Sequence, residues 1–376
     1  MSTTDSRSAL SRRSLLKFGS LLAAGGAVGG GLTVAGTTPS QAATPIHWTQ
    51  LRSEASKGSL AGVAASGSAT WAVGSIGDGD DTRPLAMQLK NRSWQPTAQP
   101  APDLASLSSV AIVSKNEVWA VGEQIISDES ADLLPVIVRW NGSAWHKVNF
   151  PAKIGGLGQI VVAAGSIWVV GWAKVGGSEH AVVYRRTNGK WKLLDKGLES
   201  AMNVNCLQVF DDGTAWAGLN PGLAYFDGTS WTLSSDWPQD GSMIPSKFIC
   251  SSAKDIYVAG VAYTGDLGMV PLISHYNGKT WRRLKTPKVQ ADLYDLAFYK
   301  DQVVAVGERY DDEGTSTQLV LRGDKSGFSV QTAPTTQPGG LAGLLNVSGE
   351  LLTVGYLDQP TTLEPFAAIS QSRWTM

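Results

Sequence analysis

The sequence predicts an all-β fold, a seven-bladed β-propeller of four-stranded antiparallel blades whose ring is closed by the N-terminal strand. Three observations carry that prediction. One pattern occurs seven times, a short strand ending in Val-Gly or a near variant: Thr70-Trp71-Ala72-Val73-Gly74, Val118-Trp119-Ala120-Val121-Gly122, Ile167-Trp168-Val169-Val170-Gly171, Ala215-Trp216-Ala217-Gly218, Ile256-Tyr257-Val258-Ala259-Gly260, Val303-Val304-Ala305-Val306-Gly307 and Leu351-Leu352-Thr353-Val354-Gly355. The second residues of these segments, at 71, 119, 168, 216, 257, 304 and 352, are 48, 49, 48, 41, 47 and 48 apart. A strand-rich repeat with a period in the forties is the signature of propeller blades. Tight-hairpin dipeptides recur at Asn141-Gly142, Asn188-Gly189, Asp227-Gly228 and Asn277-Gly278. A large ring then follows each hairpin, at Trp94, Trp145, Trp191, Trp231, Trp281, Phe328 and Trp374, with an extra Trp48 lying 46 residues before Trp94.

The second unit shows how each element is read. Ser106 to Ser114 alternates and is rich in small and β-branched residues, which suits an innermost strand, and Glu117 to Gly122 follows as the second. A polar loop leads to Pro135–Trp140, the Asn141-Gly142 turn and Trp145–Val148 as third and fourth strands. Both residues of each such turn are expected at positive φ. The surplus Trp48 and the early end at Met376 predict that Ile46 to Arg52 supplies the outer strand of the seventh blade, tying both ends of the chain into one sheet. Blades about 46–376 then form one domain with a continuous core. Trp71, Trp94, Trp119, Trp145, Trp168, Trp191, Trp216, Trp231 and Trp281 read as wedges between twisted sheets rather than as ligand platforms.

The first 42 residues read as a cleaved export signal. Ser11-Arg12-Arg13-Ser14-Leu15-Leu16-Lys17 precedes a Gly-rich, weakly apolar stretch, and Ser40-Gln41-Ala42 gives small residues where a signal peptidase cuts. With no Cys near the cut, a freely secreted protein is expected, with residence in the cell envelope as the alternative and no membrane insertion after cleavage. The formal charge of −1 becomes −4 once Arg7, Arg12, Arg13, Lys17 and Asp5 are removed, so nucleic acid is not an expected partner. Cys206 and Cys250 fall in innermost strands of neighbouring blades, and export permits a disulfide. Their offsets from Trp216 and Tyr257, ten and seven residues, favour two free thiols over a bridge.

On these residues the chain resembles twin-arginine-exported β-propellers of actinomycete-type bacteria, whose repeats read Val-Trp-Ala-Val-Gly and Trp-Asn-Gly-x-x-Trp, and which sit loosely near kelch-like and lectin-like propellers. The resemblance implies folding before export. It implies little about activity, because propellers host many functions. The Asp227-Gly228-x-x-Trp231 turn is similar to the Asp-box of sialidases but has Asp four rather than five residues before Trp. The four histidines, His47, His146, His180 and His275, are too dispersed for copper chemistry like that of galactose oxidase.

The topology sorts the loops. Connections from second to third strand share one face with those entering the next blade, and they are the long ones, so binding is expected there. On that face the aromatics Trp172, Trp237, Tyr263, Tyr310 and Tyr356, with Asp311, are the candidate ligand contacts, suited to stacking on a sugar ring or anchoring a protein. Acidic clusters accompany them: Asp78, Asp80 and Asp81; Asp128, Glu129 and Asp132; Asp311, Asp312 and Glu313; and also Asp266 and Asp358. No cofactor is expected. The first cluster offers oxygen ligands for calcium but lacks the full spacing of a calcium loop. No nucleophile elbow, phosphate loop or singled-out carboxylate pair is present. The expectation is a monomeric, secreted, non-catalytic protein that binds an extracellular glycan, an envelope polymer or a protein. A propeller glycosidase or lyase and a protein scaffold without a small ligand are the alternatives.

Overall fold

A computed structural model describes residues 45–371, apart from 78–80, 127–131, 176, 239–241 and 266–267. The export signal, Trp374 and the acidic residues Asp78, Asp80, Asp128, Glu129 and Asp266 lie outside the described residues. Every regular element described is a β-strand, and the strands form seven antiparallel sheets in a ring. The first blade runs Ser59–Ser66, Ala69–Ile76, Arg83–Lys90 and Ser93–Pro96 from the axis outward. The next five innermost strands are Ala105–Ser114, Gly155–Ala163, Asn203–Val209, Met243–Ser252 and Ala291–Tyr299. Gly339–Val347 is the seventh, and it packs back against Ser59–Ser66 to close the circle.

The N-terminal strand closes the ring. Trp48–Gln50 pairs antiparallel with Thr362–Ser370 as the outer strand of blade seven, Trp48 opposite Ser370. Leu51 N–H donates to Ala367 at 2.8 Å and its side chain is buried. Arg52 does not continue that strand as expected. Arg52–Ser53 crosses to blade one and pairs in parallel with Ser93 and Trp94, and the N–H of Glu54 reaches Trp94 O at 2.9 Å. One short segment thus grips both sides of the seam.

The core is not continuous. Among the described residues it divides into seven apolar clusters, one between each pair of adjacent blades. Strand alternation explains this: Trp71 and Val73 face blade two while Ala72, between them, faces blade seven. The repeated tryptophans are the wedges. Trp71 meets Trp140 and Trp145 of the next blade with ring centres 5.2 and 5.4 Å apart, and Trp216 meets Tyr276 and Trp281 of the next at 5.3 Å.

The repeat glycine has a steric cause. Each innermost strand carries a bulge at the same level, where a residue is skipped between Leu60 and Gly62, Leu107 and Ser109, Leu157 and Gln159, Val204 and Cys206, Pro245 and Lys247, Leu293 and Asp295, and Leu341 and Gly343. The bulge presses a carbonyl against the second strand, so a Cβ on Gly74, Gly122, Gly171, Gly260, Gly307 or Gly355 would overlap that oxygen. In blade four Leu219 takes the glycine's place opposite Val204, and Gly218 stands one position earlier, opposite Cys206.

The hairpins divide into two kinds. Asn188 and Gly189 both have positive φ (51° and 80°), as expected for a two-residue turn. At Asn141, Asp227 and Asn277 only the glycine does, because these loops hold four residues; the Asx side chain instead accepts two backbone N–H groups, at 2.7–3.0 Å. Both cysteines are free. Cys206 sits at its bulge near the long-loop end, whereas Cys250 lies opposite Ile256 toward the other end of its blade, so no bridge forms.

Candidate functional site

Skipped residues at a bulge turn toward the axis. Ala61, Ser108, Gly158, Asn205, Ser246, Tyr294 and Ala342, one per blade, therefore ring a cavity of about 250 Å³ toward the long-loop end of the channel. In blades two, three and six the residue after the skipped one bonds sideways. Ser109 Oγ accepts the N–H of Ile160 at 3.3 Å, Gln159 Oε1 that of Leu207 at 2.6 Å, and Asp295 Oδ2 that of Leu344 at 3.0 Å. These bonds sew one blade to the next at the cavity wall. Asp295 also accepts from Leu296 N–H at 2.8 Å and lies 3.8 Å from Lys247 Nζ, and burial pushes its carboxyl above the usual range against those contacts.

The residue following the repeat glycine sits one layer nearer the long loops. In blade two it is Glu123, in blade three Trp172, in blade six Glu308 and in blade seven Tyr356. Both carboxyls are buried, and each fits because the next blade begins with Gly-Gly-Leu: a Cβ on Gly156 would stand 2.7 Å from Glu123 Oε2 and 2.8 Å from Trp172 Nε1, and one on Gly340 would overlap the Glu308 carboxyl.

The two carboxyls differ in their partners. Glu308 Oε2 accepts the Tyr310 hydroxyl at 3.1 Å, and the Tyr356 hydroxyl bonds to the same carboxyl. Tyr310 in turn meets the Tyr294 hydroxyl at 3.3 Å. Burial nevertheless pushes Glu308 up to about 7. At the matching places around Glu123 stand Ile125 and Trp172, and no described residue bonds to its carboxyl. Burial alone pushes it up to about 8, so it is protonated at neutral pH. Nearby, Asn203 Nδ2 donates to Asn205 Oδ1 at 2.8 Å, which leaves Asn203 Oδ1 and Asn205 Nδ2 buried and unpaired; both residues line the cavity.

The expected contact residues scatter. Trp172 is half-buried and lines the cavity. Tyr263 is 37% exposed, and its N–H donates to Ser242 O at 2.8 Å. Trp237 flanks the same turn but is buried, its ring 6.0 Å from Trp281 and its Nε1 3.4 Å from Met243 O, so it is packing and presents no surface. Tyr356 is buried and Tyr310 half-buried, and the Glu308 carboxyl holds both hydroxyls. Asp311 is exposed and spends one oxygen on its own loop, accepting the N–H groups of Glu313 and Thr315 at 3.1 and 2.7 Å. Asp81 is exposed, and among the described residues no three His, Cys, Asp or Glu side chains converge on a metal position. Sequence reasoning missed Glu123, Glu308 and the Asn203–Asn205 pair. The signal for the carboxyls was present: a Glu directly after Val-Gly, with Gly-Gly-Leu opening the following blade.

No family model and no curated protein matches this sequence. Solved structures do. The chain is similar to the WD40 β-propeller domain of Doa1, with a TM-score of 0.58 at 12% identity over 88% of this chain and 97% of that one. It is also similar to the extracellular domain described for a hybrid two-component system, BT4673 of B. thetaiotaomicron, with a TM-score of 0.57 at 10% identity over 88% of this chain and 40% of that one. These likenesses establish the propeller fold alone. No helix among the described residues is long and apolar enough to cross a membrane.

Proposed function

We propose that this is a secreted, non-catalytic binding protein that takes an extracellular glycan or glycan-bearing envelope polymer on its long-loop face. The observation that carries the reading is the axial cavity, lined by Trp172 and by polar groups with unused hydrogen-bonding capacity. Concave, partly aromatic sites with a few convergent polar groups are the usual form of small-ligand sites. A neutral carboxylic acid and two free amide atoms match the hydroxyls of a sugar, and Tyr263 offers a ring farther out on the same face.

The chemistry favours holding over turnover. A glycosidase uses two carboxyls in complementary roles. Glu123 would serve as an acid, but Asp295, the other carboxyl lining the cavity, is committed to two backbone N–H groups and Lys247. A protein partner is the second reading, since the extracellular-domain and WD40 neighbours share this fold. Secretion follows from the export-type N-terminus and is tested by finding a chain that begins at Ala43 in culture fluid. Binding is tested by retention on immobilised envelope polysaccharides: the parent chain is retained, and Trp172→Ala elutes early with its thermal midpoint unchanged. Equal retention of the two removes the cavity from the reading, and no retention of the parent on any glycan removes the reading.

A further inference from the structure

Two equivalent positions in this ring hold a buried glutamate, and only one is satisfied. Glu308 has the hydroxyls of Tyr310 and Tyr356. Glu123, 7% exposed, has Ile125 and Trp172 in their places and no partner, and it faces the axial cavity. A buried polar group left without a hydrogen bond is costly, on the order of 1–3 kcal/mol, and calls for an explanation. Asn203 and Asn205 line the same cavity as the Glu123 carboxyl, and Asn203 Oδ1 and Asn205 Nδ2 are buried there without partners. Together they offer one group that both donates and accepts, one acceptor and one donor.

We infer that the axial cavity is a pocket for a single neutral, hydroxyl-rich ring, a terminal sugar residue, whose hydroxyl accepts the Glu123 carboxyl O–H and so gives Glu123 the partner that Glu308 has in Tyr310 and Tyr356. The inference rests on the glycan reading above and narrows it. Size supports one ring: about 250 Å³ lies below the roughly 300–1,000 Å³ of drug-sized sites. Charge supports a neutral one. The strands packed on Glu117–Ile125 are Ala105–Ser114, Leu133–Trp140 and Gly155–Ala163. Their sole titratable residue is Arg139, paired with Glu117 at 3.0 Å at the far end of the sheet. Lys174 on the strand after them is paired with Asp132, and Lys247 across the cavity lies against Asp295. Nothing charged therefore stabilises an ionised Glu123, and its shift has burial as the one cause. The neutral acid is the binding form, and it is lost as pH rises through about 8.

The test uses the mature full chain and a panel of methyl glycosides of glucose, galactose, mannose and N-acetylglucosamine, with glucuronate as the charged control. Binding is read by saturation-transfer NMR and calorimetry at pH 6 and pH 9. At least one neutral glycoside is expected to bind at pH 6 and about tenfold more weakly at pH 9, the fall expected one unit above a group titrating near 8. Glu123→Gln, neutral at every pH, is expected to bind without that fall, and Trp172→Ala to lose binding. A pH-independent affinity in the parent, or preference for glucuronate, overturns the inference. Should immobilised polysaccharide be retained in a Trp172-dependent way while no glycoside binds and Glu123→Ala is harmless, the pocket falls and the face survives. If neither polymer nor glycoside binds, both fall.

Discussion

A glutamate placed directly after the repeat glycine is buried by the architecture, whatever surrounds it. The second strand is flanked on both sides there, and Gly156 or Gly340 of the following blade lets the carboxyl in. At Glu308 the consequence is a stability that depends on pH. The folded carboxyl titrates near 7 against an ordinary value of 4.5. Between those values the folded chain keeps a proton that the unfolded chain has released, so stability is full below about 4.5, falls as pH rises to about 7 and then levels off. Glu308→Gln removes that fall. It is expected to match the parent near pH 4 and to exceed it by on the order of 3 kcal/mol at pH 8, read by urea denaturation at both pH values. An unchanged difference between the two pH values would mean that Glu308 is ionised in the folded chain. The glycine beside it was legible in the sequence as a repeat marker but not as a steric requirement, because the bulge that demands it leaves no mark in composition. The glutamates are hard to single out for a related reason: the sequence points to aromatics in the loops, where exposure is expected, whereas the layer below the loops holds the polar groups. Trp237 and Tyr356 show the same limit, since a ring near a loop reads alike whether it closes the packing or faces solvent.

Individual strands and turns followed the sequence closely, because period-two alternation and turn chemistry are local. The second blade was expected as Ser106–Ser114, Glu117–Gly122, Pro135–Trp140 and Trp145–Val148. It runs Ala105–Ser114, Glu117–Ile125, Leu133–Trp140 and Trp145–Lys147. The hairpins kept their place but not their geometry: three of the four Asx-Gly pairs open four-residue loops in which the side chain replaces a strained backbone. Less local is the sewing of one innermost strand to the next, since it joins residues about one period apart. Gln159 to Leu207 is the shortest of these bonds at 2.6 Å and is buried. Gln159→Ala leaves that N–H without a partner, and the expected loss is about 1–3 kcal/mol, larger than for Ser109→Ala, whose 3.3 Å bond is longer. Chemical denaturation of the two variants checks the order, and equal losses would show that the cavity wall relaxes around the missing acceptor.

At the scale of the whole molecule, stability is spread over seven interfaces of similar kind, and a ring keeps all seven only while it is closed. In an open repeat array each unit leans on its neighbours and the ends fray first. Here one interface, between blades seven and one, is made by chain segments at opposite ends of the sequence. Leu51 belongs to its apolar cluster together with Leu60, Trp94 and Leu352, while Trp48–Gln50 supplies the outer strand on one side and Arg52–Ser53 pairs on the other. Thr49 Oγ1 and the Gln371 side chain add a bond where the ends meet. Removing residues up to Leu51 takes away the strand, the buried leucine and the Leu51–Ala367 bond in one step, and exposes the edge of Thr362–Ser370. The other six interfaces stay intact, so the shortened chain is expected to fold with a lower thermal midpoint. Its amide protection should drop first in Ser59–Ser66 and Gly339–Val347, well before Gly155–Ala163 on the far side of the ring, as read by hydrogen exchange with mass spectrometry. Protection that falls evenly around all seven blades would show instead that the ring melts as one unit, with the seam no weaker than any other joint.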